Sequence, residues 1–300
     1  MTAVPHDALS SSTIRRNTLV GASAILLWAT LALLTAIAGP VPPFQMTAMA
    51  FGVGGLMGLL VMLATGRRPL AALRQPPRVW LLGVSGLFGY HFLYFLALQS
   101  APAVEANLVN YLWPLMIVLF AGLLPGERLG LPQLLGALLG LAGTVLLVTR
   151  GQGLSLDLQY LPGYLAALGC AVTWGAYSVL TRRYGEAPTE SVAFFCLATS
   201  GLAALCHLTF ETTVWPQGAA AWAAVAAMGI GPLGAAFFVW DVGVKRGDIH
   251  ALGAISYVTP LLSTLLLILA GRAEGAWSVW AACALIIGGA VVAAKGLGKR

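Results

Sequence analysis

Apolar runs of about twenty residues follow one another along almost the whole chain, and this succession constrains the fold more than any other feature. A helix of about 20 apolar residues crosses the hydrocarbon core of a bilayer once. Runs broken by charge, Pro and Gly fall at 18–38, 44–65, 79–98, 104–124, 131–149, 160–181, 190–210, 219–243, 249–270 and 276–294. They predict an all-α integral membrane protein with ten transmembrane helices and short connections. Only 9% of the 300 residues are charged and 59% are hydrophobic, too little polar surface to keep a folded chain dispersed in water. No stretch between the runs is long enough for a soluble catalytic or nucleic-acid-binding domain.

The basic residues give a test that does not use hydropathy. Arg15 and Arg16 precede the first run; Arg67, Arg68, Arg74 and Arg78 lie in the second connection, Arg128 in the fourth, Arg182 and Arg183 in the sixth, and Lys245 and Arg246 in the eighth. Lys295, Lys299 and Arg300 follow the last run, so only Arg150 and Arg272, of 16 Lys and Arg, fall on the other side. The positive-inside rule then puts both termini in the cytoplasm. The net charge of +6 is thereby assigned to orientation, and no nucleic-acid partner is expected. Arg15 and Arg16 followed by an apolar run also suit a signal peptide, but the run is longer than a usual signal core. Cys170, Cys196, Cys206 and Cys283 all lie inside apolar runs without metal-ligand spacing, and read as packing residues. No metal or cofactor is expected.

Shifting the chain by 146 residues against itself pairs Trp28 with Trp174, Gly83 with Gly229, Phe92 with Phe238, Tyr111 with Tyr257, Pro114 with Pro260 and Gly143 with Gly289. Leu matches are cheap in so apolar a chain; Trp, Tyr and Pro at one shared offset are not. The organisation expected is a tail at 1–17, a five-helix repeat at 18–149, an external linker at 150–159, a second repeat at 160–294 and a tail at 295–300. An odd number of helices per copy makes the second copy enter the membrane from the opposite side, an inverted-topology repeat suited to alternating access.

Polar groups in hydrocarbon are costly unless they face protein or water. Asn107, Asn110, Tyr111 and Pro114 stand at i, i+3, i+4 and i+7, and Gly253, Ser256, Tyr257 and Pro260 repeat that face in the ninth run. Both faces should point inward, as a cavity lining or as packing around proline kinks. Tyr90, His91 and Tyr94 lie in the third run, Trp240 and Asp241 in the eighth, and Trp28 and Trp174 pair across the repeat. Trp80, Trp215, Trp222, Trp277 and Trp280 sit near predicted ends, where interfacial anchoring explains them. Among the acids, Glu105 suits the positive end of the fourth helix or a cationic ligand. Asp241 stands one turn before Lys245, the spacing of an ion pair. Glu127 and Glu274 are expected to open the fifth and tenth helices.

Asn110-Tyr111-Leu112-Trp113-Pro114, Trp240 leading into Gly243, and Ser256-Tyr257 with Pro260 resemble the drug/metabolite transporter superfamily of the EamA type, over the whole chain. The resemblance implies two five-helix bundles around a cavity walled by the first, third, fourth, sixth, eighth and ninth helices, with the fifth and tenth outside. It also implies export of amino acids, aromatic and other neutral ones, across the bacterial inner membrane. Trp28, Tyr90, His91, Tyr94, Tyr111, Trp113, Trp174, Trp240 and Tyr257 are then the candidate wall, and Asn110, Ser256 and Glu105 the groups that orient ammonium and carboxylate. One departure is Asp241, where the family pattern carries Asn, which leaves substrate range and ion coupling open. Efflux of cationic drugs or other metabolites is the rival reading, with Glu105 and Asp241 as counter-charges. No Walker loop, His-Glu-x-x-His pair or Gly-x-Ser-x-Gly elbow occurs, so neither an ATP motor nor an enzyme is expected. The partners expected are the lipid bilayer and a small-molecule substrate, with the chain acting as a monomer.

Overall fold

The computed structural model describes residues 10–125, 129–152, 157–274 and 276–294, and all regular elements among them are helical. Among the described residues, nine helical segments are long and apolar enough to cross a membrane. Spans 1 to 5 are Ser11–Ala38, Pro43–Ala64, Pro77–Ser100, Ala103–Ala121 and Leu131–Thr149. Spans 6 to 9 are Leu158–Arg183, Ser191–Phe210, Gly218–Arg246 and Ile249–Leu269. A further apolar helix, Trp277–Ala294, is shorter and is called helix 10. Span 1 begins seven residues before the apolar run, because Ser10 caps it by accepting from the Thr13 N–H, an N-cap that carries the helix out through its polar first turns. Glu127, Arg128, Lys295, Lys299 and Arg300 lie outside the described residues. Glu274 precedes helix 10 by three residues and does not open it.

The interruptions inside the spans recur at the spacing of the sequence repeat. Span 3 contains a π-helical turn at Ser85–Gly89 and span 8 one at Gly231–Ala235, each residue 146 positions from its counterpart. Small residues allow the wider turn, and in span 8 Pro232 has no N–H to give the α-helical ladder. Spans 4 and 9 start at Ala103 and Ile249, again 146 apart, and both break after two turns, at Tyr111-Leu112 and Ser256-Tyr257. The proline kinks expected in mid-span are therefore located ahead of the prolines. Pro114 occupies the first turn of a second helix, Trp113–Ala121, where a missing donor costs nothing. The continuous face expected from Asn107 to Pro114 is split by this break.

Helix pairing has the same order. Span 2 packs on span 7 and span 5 on helix 10, each with its own repeat counterpart, whereas span 1 packs on span 8 as span 6 packs on span 3. Glycines set the closest approaches. A Cβ on Gly136 would stand 2.5 Å from the Gly289 carbonyl oxygen, and one on Gly21 2.7 Å from the Gly243 Cα. Lipid offers apolar groups as good a solvent as protein does, so such close van der Waals fit, more than burial, holds membrane helices together. The basic residues Arg15, Arg16, Arg67, Arg78, Arg182, Arg183, Lys245 and Arg246 gather around one broad concavity of about 2790 Å³. This marks one end of the molecule, the basic end.

Candidate functional site

Four spans bring five large rings together in mid-molecule. Trp28 of span 1 lies with ring centroids 5.1 Å from Trp240, 5.6 Å from Trp174, 6.1 Å from Phe237 and 6.3 Å from Trp113. Trp174 and Trp240 stack at 6.2 Å and 24°. Most of the other pairs are edge-on, the arrangement favoured by the ring quadrupole and worth about 0.5–1.5 kcal/mol per pair beyond area. Two of the four indole donors have protein acceptors: Trp28 Nε1 donates to the Pro232 carbonyl at 3.0 Å and Trp240 Nε1 to Ser178 Oγ at 3.1 Å. The first acceptor lies in the span 8 π-turn, so the local helix defect supports the site.

Tyr90 joins the cluster at 5.5 Å from Trp174, stacks on Tyr94 at 11° and accepts from Asn110 Nδ2 at 3.2 Å. Tyr94 Oη donates to Asn107 Oδ1 at 2.7 Å. A third polar pair stands two residues before Asn107 in span 4, where Tyr164 Oη donates to Glu105 Oε2. Asn110 is buried, and its Oδ1 has no hydrogen-bond partner among the described residues. A buried amide oxygen left unpaired is costly, and here it lies beside the aromatic cluster as an available acceptor. His91 donates from Nδ1 to the Leu87 carbonyl at 2.7 Å and lies edge-on to Phe51 at 5.1 Å, as a packing residue next to the wall. Tyr111 is half-buried at the span 4 break.

Two candidates lie elsewhere. Tyr257 is fully buried among Val118, Ala137, Leu261 and Ile286, with its ring where a Cβ on Gly140 would come within 2.6 Å. It therefore packs the seam between spans 9 and 5. Ser256 is buried and donates to the Leu252 carbonyl of its own helix at 2.6 Å. The break in span 9 turns this pair towards the scaffold, which helical periodicity does not register. Conversely, Phe51, Phe237, Tyr177 and Ser178 complete the cluster and are not among the twelve candidates. Tyr177 and Ser178 follow Trp174 by one helical turn, a signal that was present in the spacing.

Asp241 is committed to other partners. Its carboxylate meets Lys245 Nζ at 2.8 Å and accepts from Thr189 Oγ1 at 2.5 Å, while Lys245 also donates to the Ala187 carbonyl at 2.8 Å. None of the twelve candidates lines the concavity at the basic end.

The comparison with known proteins follows the same outline. The EamA-like transporter family model matches residues 17–149 and again 161–294. The chain belongs to the EamA-like transporter family. The two matches place one copy of the family unit in each half of the chain, and the recurring π-turns and breaks fall at equivalent positions within them. The chain is 57% identical over 277 residues, 92% of its length and 96% of the relative's, to the aromatic amino acid exporter YddG of Ancylobacter novellus. It is 30% identical to the protein of that name from Escherichia coli K12, over 93% of this chain and 97% of that one. A crystal structure 56% identical in sequence superposes with a TM-score of 0.89, covering 93% of this chain and 98% of that one. This EamA-like protein is thus a multi-pass membrane protein whose named relatives export amino acids.

Proposed function

We propose that the chain exports aromatic and other neutral amino acids across the bacterial inner membrane by alternating access around the aromatic cluster. The observation that carries this reading is the unpaired Oδ1 of Asn110 beside rings from both repeats. Trp28, Trp113, Trp174, Trp240 and Tyr90 offer flat apolar surface to a side chain, and Asn110 accepts from an ammonium group. Glu105, held by Tyr164, supplies negative charge towards the end opposite the basic one. Ten transmembrane helices in two inverted five-helix repeats, with both termini in the cytoplasm, supply the rocking halves. The chain works as a monomer in this reading, with boundaries at 18–149 and 160–294.

The drug-efflux alternative loses one of its two counter-charges, since Lys245 and Thr189 already occupy the Asp241 carboxylate. The test is efflux from proteoliposomes loaded with labelled phenylalanine, threonine or a sugar phosphate, with and without a pH gradient. Phenylalanine efflux that drops at least about tenfold in Asn110→Ala is expected, the loss of one hydrogen bond to a charged group. Absence of flux for every amino acid overturns the proposal. Flux indifferent to the gradient identifies facilitated diffusion.

A further inference from the structure

The two ends of the molecule depart from the repeat symmetry in a consistent way. At the basic end span 6 packs against span 8, and the second half of span 4 packs against the first half of span 9. The counterparts at the opposite end are span 1 with span 3, and the first half of span 4 with the second half of span 9. These make at most marginal contact among the described residues. These helix pairs are shut at the basic end and parted at its mirror image, although the same repeat unit builds both; the broad concavity of the basic end lies beside them, between spans 1, 2 and 8.

Among the described residues, one bond set at the closed end joins spans 6 and 8 directly and has no counterpart between spans 1 and 3. Arg182, in the last turn of span 6, donates through Nη1 to the Val244 carbonyl at 3.1 Å and to the Gly247 carbonyl at 2.9 Å. Both acceptors belong to the C-terminal turn of span 8 or the residue just past it. The last carbonyls of a helix lack intrahelical donors and carry the negative end of the dipole, and a guanidinium fork can take two of them at once. The repeat-equivalent position, 146 residues earlier, is Ala36, which is exposed and has no side-chain donor. Its would-be acceptors correspond to Leu98 and Ala101. Other contacts near the closed end do not discriminate in this way. The Thr189–Asp241 bond joins the start of span 7 to span 8, and at the parted end the equivalent positions, Pro43 and Phe95, are still tied through the ring pair that the neighbouring Phe44 makes with Phe95 at 5.2 Å. That contact is a brace kept within each repeat, whereas the Arg182 bonds exist only where the end is shut.

We propose that Arg182 is the latch of the basic end, a positioning residue that holds spans 6 and 8 together in this state and sets the balance between the two access states. This rests on the alternating-access reading above. The latch makes the chemistry of the two ends unequal, so the carrier rests closed to the basic side and pays to open there.

The test uses the full chain in proteoliposomes, with the four cysteines replaced by alanine and one reporter cysteine introduced at a time. Val244→Cys reports on the basic end, where Val244 is fully buried, and Leu98→Cys on the opposite end. A charged maleimide that cannot cross the bilayer is the probe, added on one side and then the other. Arg182→Gln is expected to speed labelling of Val244→Cys at least about tenfold and to slow labelling of Leu98→Cys, because two charge-assisted bonds are lost from one state only. Arg182→Lys should recover part of the difference, and Arg183→Gln, an exposed neighbour, should change nothing. Ala36→Arg places a guanidinium at the matching outer position and should shift both reporters in the direction Arg182→Gln does. Labelling that is unchanged in Arg182→Gln, or faster at both reporters together, overturns the latch. Phenylalanine efflux of the cysteine-free parent is measured alongside. A parent without flux counts against the exporter reading, while a parent with flux and unmoved reporters counts against the latch alone.

Discussion

Removing either member of the Asp241–Lys245 pair should be far more damaging than removing both. The side chains are 4% and 6% exposed and meet at 2.8 Å. At an effective dielectric constant of about 20, two unit charges at that distance attract by roughly 6 kcal/mol. Taking each ion out of water costs several kcal/mol in return, so the intact pair contributes little net stability. Asp241→Asn strands an ammonium and Lys245→Met strands a carboxylate, each at a cost of about 3–5 kcal/mol. For a chain of this size that lowers the unfolding midpoint by roughly 10 °C. In the double variant no charge is left behind and Met fills most of the Lys volume, so the midpoint should return to within about 1 kcal/mol of the parent. Thermal unfolding in nanodiscs, followed by tryptophan fluorescence, measures all four corners of the cycle. Phenylalanine efflux from the double variant should persist, because the pair braces span 8 to the start of span 7. A double variant as unstable as the singles would refute the electrostatic argument, and one that is stable but has lost gradient-dependent flux would refute the brace.

Trp240→Phe removes the donor to Ser178 and part of the ring surface against Trp28 and Trp174; substrate affinity, measured by competition for labelled phenylalanine, should fall about tenfold. Gly140→Leu drives a side chain into the Tyr257 ring and should cost about 1–3 kcal/mol by overpacking, seen as a lower unfolding midpoint, while flux per folded molecule stays near the parent's. Glu211 accepts from the Phe44 and Gln45 N–H groups at 2.8 and 3.0 Å and from His207. Glu211→Gln should therefore destabilise the start of span 2 by about 1–2 kcal/mol, visible as faster amide hydrogen exchange over residues 44–47.

The share of the site that was legible in the sequence depended on whether a residue's partners lay on its own helix or on another. The i,i+4 spacing of Asp241 and Lys245 announced their pair, and the repeat offset announced Trp28 and Trp174 as equivalent, because both signals are local or periodic. The same periodicity groups Ser256 and Tyr257 with the cluster, as copies of Asn110 and Tyr111 at the 146-residue offset. The structure separates the copies: Tyr111 stays half-buried in span 4, while Tyr257 is packed against Gly140. Equal sequences at equivalent positions need not face equal neighbours once the two ends of the molecule have closed to different degrees. The partners of Asn107 and Glu105 were hidden as well, since Tyr94 and Tyr164 are 13 and 59 residues away in the chain.

By itself the sequence determined that this chain is a multi-span membrane protein, that it is built twice from one unit and that its basic residues gather at one end. These follow from hydropathy, an offset and a count, and lipid punishes any deviation by several kcal/mol per exposed backbone group. Only the tertiary structure decided which aromatic rings meet, that Asn110 keeps an unpaired oxygen beside them, and that Arg182 fastens one end while Ala36 leaves the other free. Those outcomes depend on the rotation and crossing of helices far apart in the chain, and small residues permit many close crossings in lipid before packing selects one.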